Sequence, residues 1–460
     1  MTEPPPSDGT SSERSLGIFA AGGAVGGLAG AAAAVIVTLL IKETLGALAT
    51  QDTWVLIVMP LVGLALSVAI LQGYHGGQAL QTLAPKVELA VPRGRRGLLR
   101  WRPSSRDVIR ADLTADVVAT AGAEERFPWH LAPPRIAAIV ATVGLGAPMG
   151  TESPAAHIGV AAGAWLGTRG SFLQRLARPA ALGGGAASVA ALIGNPLVGA
   201  TFVLELGRRR MVPLSAPRIT AAIVGALVGW GINRAFDLSL IRLNVPDIAP
   251  DGVLKAIGAA LLVGAVTGTI TSLVGSAIYR ARGWQSPPLF KLAAGGLVVV
   301  GAALLIATIA TPAASFGPGA NAAAWAESPG IGALTLLGVA LLRAAATTAA
   351  VAAGGCGGIF VPFLAIGDIA GRAFAPAVGV PSDLAGAAGA AGGIAGGYRL
   401  PVTALALVVG LGGPESATLT CLATVLVATV AGVGAGLALD RLEALGAAVT
   451  ASAPSAGAQK

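Results

Sequence analysis

A single glutamate divides an apolar stretch of this chain into two pieces, each too short to cross a bilayer. Residues 136–151 and 153–168 each run for about 16 residues, and only Glu152 separates them; a membrane helix needs about 20. Residues 373–382, 384–398 and 400–414 are again short, cut by Asp383 and Arg399. All these runs are too apolar for water-exposed loops. Pieces that stop at membrane depth leave polar backbone ends, tolerated only where protein or an aqueous cavity covers them. Broken helices of this kind point to a transport site.

Composition sets the class. Of 460 residues, 54% are hydrophobic and 11% charged, against roughly a quarter charged in soluble domains. That argues against an ordinary cytosolic enzyme. The 66 glycines follow no Gly-X-Y period, so collagen is excluded, and the apolar bulk excludes disorder. Two cysteines, Cys356 and Cys421, make no disulfide framework, and three histidines leave little for a structural metal site. No resident cofactor is expected. The chain reads as an all-α, multi-span membrane protein.

Runs long enough to cross are residues 16–41, 256–279, 344–367 and 416–439, with 292–326 holding a span plus a Gly/Pro-rich loop. Residues 16–41 are too long for a signal peptide and lack a basic n-region, so they form the first membrane helix. Residues 1–15 and 449–460 are expected to be disordered tails around a transmembrane domain at 16–448. Basic clusters at Lys86 to Arg110, Arg208 to Arg210, and Arg280 with Arg282 mark cytoplasmic connections. The amino terminus is therefore cytoplasmic, in a multi-pass protein of the cell (inner) membrane. Connection 236–252, with three aspartates and one arginine, falls outside. Topology accounts for the +8 formal charge, and no nucleic-acid partner is needed.

Two pairs of proline-centred segments echo each other. Gly194-Asn195-Pro196-Leu197 and Arg399-Leu400-Pro401-Val402 place their prolines 205 positions apart (401 − 196), each after a Gly/Ala-rich stretch. Pro154 and Pro362 are 208 apart (362 − 154). The nearly shared offset predicts two related halves, about 16–235 and 253–448, unless chance matching in Gly/Ala/Pro-rich sequence explains it. Broken helices of a repeat meet near the membrane midplane. Proline suits the first helical turn, whose free N–H groups attract anions, so an anion pathway follows.

A carboxylate between apolar half-spans is costly and functional by default. Gly150, Ser153 and Pro154 around Glu152 describe a turn into a helix amino terminus. A deprotonated Glu152 would sit on those N–H groups and compete with a permeating anion, and protonation would release the site. The alternative is a loop glutamate in water. In Gly354-Gly355-Cys356-Gly357-Gly358-Ile359-Phe360-Val361-Pro362, glycines let backbone approach a ligand. The N–H groups of Ile359 and Phe360 could hold a desolvated halide, with Phe360 narrowing the path. A tight Gly-mediated helix contact is the alternative.

These motifs resemble the chloride channel (CLC) family. Residues 357–371 (GGIFVPFLAIGDIAG) resemble the signature before a pore helix, 150–159 (GTESPAAHIG) the gating-glutamate motif, and 194–205 (GNPLVGATFVLE) the third conserved region. The resemblance spans about residues 15–445. It implies an inverted-repeat fold with many short, tilted and broken helices, and a homodimer in which each subunit has its own anion path. It places Glu152 on the gating glutamate and Ile359 and Phe360 on the backbone anion ligands. It also places Gly73-Tyr74-His75-Gly76-Gly77-Gln78 on the first anion-binding loop, with His75 for the usual serine and Gln78 for the usual proline. His75 would donate a hydrogen bond to the anion, or add charge when protonated; a solvated histidine closing the second span is the alternative.

Departures from the family pattern are informative. Ser153 replaces a glycine. Glu205 matches the first of two neighbouring acidic positions, but the second, associated with an internal proton path, falls on Leu206. Residues 433–445 lack the family's pore tyrosine; the tyrosines are Tyr74, Tyr279 and Tyr398. Glu205 could take over proton entry, or serve structure near Arg208 to Arg210. With Lys460 soon after the last span, the paired regulatory domains of many eukaryotic relatives are not expected.

The expected function is transport of chloride or a similar small anion across the lipid bilayer, gated by Glu152 and linked to protons. The alternatives are passive channel-like flux and fluoride/proton antiport, since fluoride exporters of the family also depart from the serine loop. An intramembrane enzyme is remote. His157 lies five residues from Glu152, no Ser/His/Asp set is evident, and no P-loop suggests an ATP-driven pump.

Overall fold

The computed structural model describes residues 9–75, 129, 132–166, 169–209, 212–238, 243, 252–412 and 418–452. Side chains of 9–15, 74–75, 171–173, 209 and 444–452 also lie outside the description. Among the described residues there are sixteen α-helices. We number them α1 (Gly9–Ala49), α2 (Thr53–His75), α3 (Ala132–Gly144), α4 (Glu152–Leu166), α5 (Ser171–Ile193), α6 (Pro196–Arg209), α7 (Ala216–Phe236) and α8 (Val253–Gly283). They continue as α9 (Pro288–Ile309), α10 (Pro312–Ser315), α11 (Ala320–Ala326), α12 (Ala333–Ala353), α13 (Phe360–Val378), α14 (Ser382–Tyr398), α15 (Pro401–Leu411) and α16 (Leu419–Ser452).

Nine of the described helices, within α1, α2, α5, α7, α8, α9, α12, α13 and α16, are long and apolar enough to cross a membrane. Helix α1, at 41 residues, is about twice the length needed to span the hydrocarbon core. It begins at Gly9, inside the tail expected at 1–15, and α16 ends at Ser452, past the expected boundary at 448. A search for charge-free runs passes over α5 and α7, because Arg175, Arg178, Arg218 and Arg234 lie near their ends. Long cationic side chains near helix ends reach the interface and are tolerated there.

One expected span is corrected. Residues 344–367 are not a single helix. Helix α12 stops at Ala353, Gly354 turns left-handed (φ 104°), and α13 starts at Phe360. Four glycines in Gly354 to Gly358 remove the side chains that would favour helix, and Gly354 takes a φ that other residues avoid. The apolar run is thus two helices separated by a turn.

Two helix junctions share one local form. Helix α5 ends at Gly194 (φ 76°) and α6 begins at Pro196; α14 ends at Arg399 (φ 60°) and α15 begins at Pro401. Both junctions pair a left-handed residue with a proline that opens the next helix. Arg399 holds this conformation without being glycine, anchored by its guanidinium to Gly436 O at 2.6 Å and Asp440 at 2.9 Å.

Packing repeats with the same spacing. Gly159 on α4 faces the carbonyl of Gly184 on α5, while Gly367 on α13 faces that of Gly389 on α14. The offsets are 208 (367 − 159) and 205 (389 − 184). A methyl at either α4 or α13 position would overlap the facing backbone. Close small-residue contact of this kind is how helices associate in lipid, where no hydrophobic force joins them.

Candidate functional site

Two turns meet in the middle of the chain's fold. The turn between α3 and α4 and the turn between α12 and α13 pair through an isolated antiparallel bridge. Gly150 N–H donates to Gly358 O and Gly358 N–H to Gly150 O, both at 2.7 Å. Cys356 N–H donates to Thr142 Oγ1 at 3.1 Å, and Thr347 Oγ1 donates to Pro148 O at 3.0 Å. These bonds satisfy irregular backbone inside the protein, as a low-dielectric environment demands. They also bring the amino termini of α4 and α13 to the same place.

Glu152 opens α4 at that place and is buried. Thr151 Oγ1 donates to its Oε1 at 3.4 Å, whereas Oε2 is buried without a hydrogen-bond partner. Main-chain N–H groups of Glu152, Val361 and Thr151 lie within electrostatic reach of the carboxylate. Val361 belongs to the first turn of α13, so the side chain spans from its own helix to the opposite one. First-turn N–H groups have no intrahelical acceptor, and two such ends together favour negative charge. Glu152 therefore stands buried at a helix start and not on an exposed loop.

The sequence-predicted residues group as follows. Ile359 is the N-cap of α13 and Phe360 its first residue, so both main-chain N–H groups stand at the end facing Glu152. The Phe360 ring is fully buried, edge-on to Phe202 of α6 (5.4 Å) and to Tyr398 of α14 (5.5 Å). His75 is the last residue of α2; its side chain, and all of Gln78, lie outside the described residues, as do the basic positions from Lys86 to Arg110.

Glu205 lies on α6 and is engaged at a different helix end. Its Oε1 accepts from Val402 N–H at 2.9 Å, and its Oε2 accepts from Thr403 N–H at 2.7 Å and Thr403 Oγ1 at 2.6 Å. The carboxylate thus caps α15 and ties it to α6. Its neighbour Leu206 is buried.

One side-chain pair beside the candidate site has no counterpart in the sequence motifs. Ser153 Oγ and Tyr398 Oη lie 3.3 Å apart, both buried, with Ser153 directly after Glu152. Tyr398 also packs edge-on to Phe363. The serine that departs from the family pattern thus contacts a buried tyrosine.

A cavity of about 260 Å³ reaches Glu152 from one side, walled by α1, α11 and the starts of α4 and α13. Thr38, Lys42, Thr151 and Asn321 supply its polar lining around Glu152 itself.

Comparison with known proteins places the fold. The profile described as voltage gated chloride channel matches residues 112–433. The chain belongs to the voltage-gated chloride channel (CLC) family. A curated relative, the H(+)/Cl(-) exchange transporter ClcA of Yersinia pestis bv. Antiqua (strain Angola), is 27% identical over 319 residues. That alignment covers 66% of this chain and 65% of the relative, just short of two thirds of its length. A solved CLC-type fluoride/proton antiporter superposes with a TM-score of 0.65 at 18% identity, covering 93% of this chain and 96% of the other. A slow cyanobacterial Cl-/H+ antiporter gives 0.64 at 19%, covering 94% and 98%. These likenesses show the inverted-repeat, all-α CLC fold.

Proposed function

We propose that this CLC protein moves chloride across the membrane in exchange for protons, along a path that the Glu152 carboxylate closes. The observation carrying the proposal is the position of that carboxylate, between the amino termini of α4 and α13. A group in that position occupies the place an anion would take. Chloride and the carboxylate then compete for one set of N–H groups. Protonation removes the charge of Glu152, weakens its hold on the helix ends and vacates the site. Falling pH therefore raises anion entry, and each release of Glu152 takes up a proton.

In this reading the main-chain N–H groups of Ile359 and Phe360, with His75, hold the anion. The Ser153–Tyr398 hydroxyl pair fixes the turn that presents Glu152. Glu205 acts first as a helix cap, because relaying a proton would break three hydrogen bonds. The chain works as a homodimer with one path per subunit and its amino terminus in the cytoplasm. The exchange function named for its Yersinia relative supports proton-linked chloride as the cargo, and transport rather than catalysis as the activity.

Purified protein in chloride-loaded liposomes tests this. Chloride flowing down its gradient should drive protons the opposite way, against theirs. Chloride efflux at fixed voltage with no uphill proton movement overturns the exchange. Substituting fluoride for chloride in the same vesicles tests the identity of the ion.

A further inference from the structure

The cavity leading to Glu152 carries a feature that neither the gate nor the fold requires. Thr38, Lys42, Leu45, Gly46 and Ala49 all line it. Their spacing along α1 (38, 42, 45, 46 and 49) is that of one helical face. Nothing in helix packing calls for a charge on that face, since the neighbouring lining residues Ile41 and Leu45 are apolar. Among the described residues that wall the cavity, Lys42 is the one cation and Glu152 the one anion. Lys42 is exposed. Glu152 Oε2, at the cavity's inner wall, is buried and has no hydrogen-bond partner.

We infer that Lys42 forms an outer anion-recruiting site, concentrating a hydrated small inorganic anion in the cavity before it displaces Glu152. This rests on the anion-transport reading above. A volume of about 260 Å³ accommodates an ion with part of its water shell, at about 30 Å³ per water. Low-dielectric walls focus the field of a single charge and raise the local concentration of its counter-ion. Lys42 acts on anion entry directly, since the anion reaches the cavity before it reaches the helix ends. The site lies on the membrane face toward which α1 runs as it ends at Ala49.

The test is a charge series at position 42, read as chloride flux against chloride concentration in proteoliposomes. Lys42→Gln should raise the half-saturating chloride about fivefold at low ionic strength, with maximal rate retained, and Lys42→Arg should restore it. The difference should shrink as an inert electrolyte shortens the screening length. Lys42→Cys allows the charge to be rebuilt on one backbone, because Cys356 and Cys421 are buried. Treatment in detergent with aminoethyl methanethiosulfonate, which adds a positive charge, should lower half-saturation; the sulfonatoethyl reagent should raise it. Equal effects of the two reagents, or an unchanged half-saturation in Lys42→Gln, overturn the recruiting site while leaving the transport reading intact. A wild-type protein with no chloride flux overturns both.

Discussion

Gly150 and Gly358 exchange two backbone hydrogen bonds at 2.7 Å, one residue from each half of the repeat. This bridge is the hinge-point of the candidate site, since it sets how far the α4 and α13 amino termini stand apart. Its glycines leave the Glu152 carboxylate room. A methyl on Gly150 would overlap Glu152 Oε2, and one on Gly358 would lie 3.2 Å from the same oxygen.

Replacing Gly150 by alanine should therefore push the carboxylate out of its seat. Chloride flux in Gly150→Ala should lose most of its pH dependence and rise toward the level seen in acid. Flux measured across a pH series checks this. A wild-type pH profile in the variant would show that Glu152 is not seated against Gly150.

Tyr398→Phe removes one hydroxyl and preserves the ring that packs on Phe360 and Phe363. Loss of a single buried hydrogen bond costs about 1 kcal/mol, so the protein should fold and bind detergent normally. The effect should appear in coupling, because Ser153 is freed beside Glu152, the proposed gate. Proton movement per chloride should fall several-fold, measured with paired pH and chloride electrodes. Unaltered coupling would confine the pair to packing.

Glu205→Gln loses charge-assisted bonds to the α15 amino terminus. Stability in detergent should drop by about 1–3 kcal/mol, while chloride-driven proton movement persists. The opposite pattern, unchanged thermal unfolding with abolished proton movement, would make Glu205 a proton relay.

A buried guanidinium offers a stability test remote from the path. Arg372 on α13 meets Asp368 at 3.2 Å, Asp383 at 2.6 Å and Glu327 at 3.5 Å. Arg372→Met would leave the buried Asp368 carboxylate uncompensated, a loss of about 3–5 kcal/mol. Thermal unfolding should register it as a large downward shift, and partial recovery in Asp368→Asn with Arg372→Met would confirm the charge origin.

Much of this arrangement is legible before folding. Glu152 between two short apolar runs, the proline pairs near one offset, and the glycines before Phe360 each carry their geometry locally. The break inside 344–367 is harder to read, because an apolar run has the same composition whether it crosses once or turns at Gly354. Helices α5 and α7 escape a charge-free search because arginines sit near their ends. Tyr398 was missed for a topological reason, since the family pattern directs attention to residues 433–445. The repeat held a signal, however. Shifting Tyr398 by the proline offset gives Ile193 (398 − 205), which lines the cavity at Glu152. Symmetry thus places both residues beside the same site. Lys42 gives no such cue, because a lone lysine on a long first helix looks like an interface anchor until the cavity is seen.

The central claim, that one carboxylate is both plug and proton acceptor, is tested most directly by Glu152→Gln in proteoliposomes under a fixed chloride gradient, with chloride and protons recorded together across pH. The account predicts chloride flux that persists, no longer varies with pH, and moves no protons. Continued uphill proton movement, or a pH profile matching wild type, would contradict it.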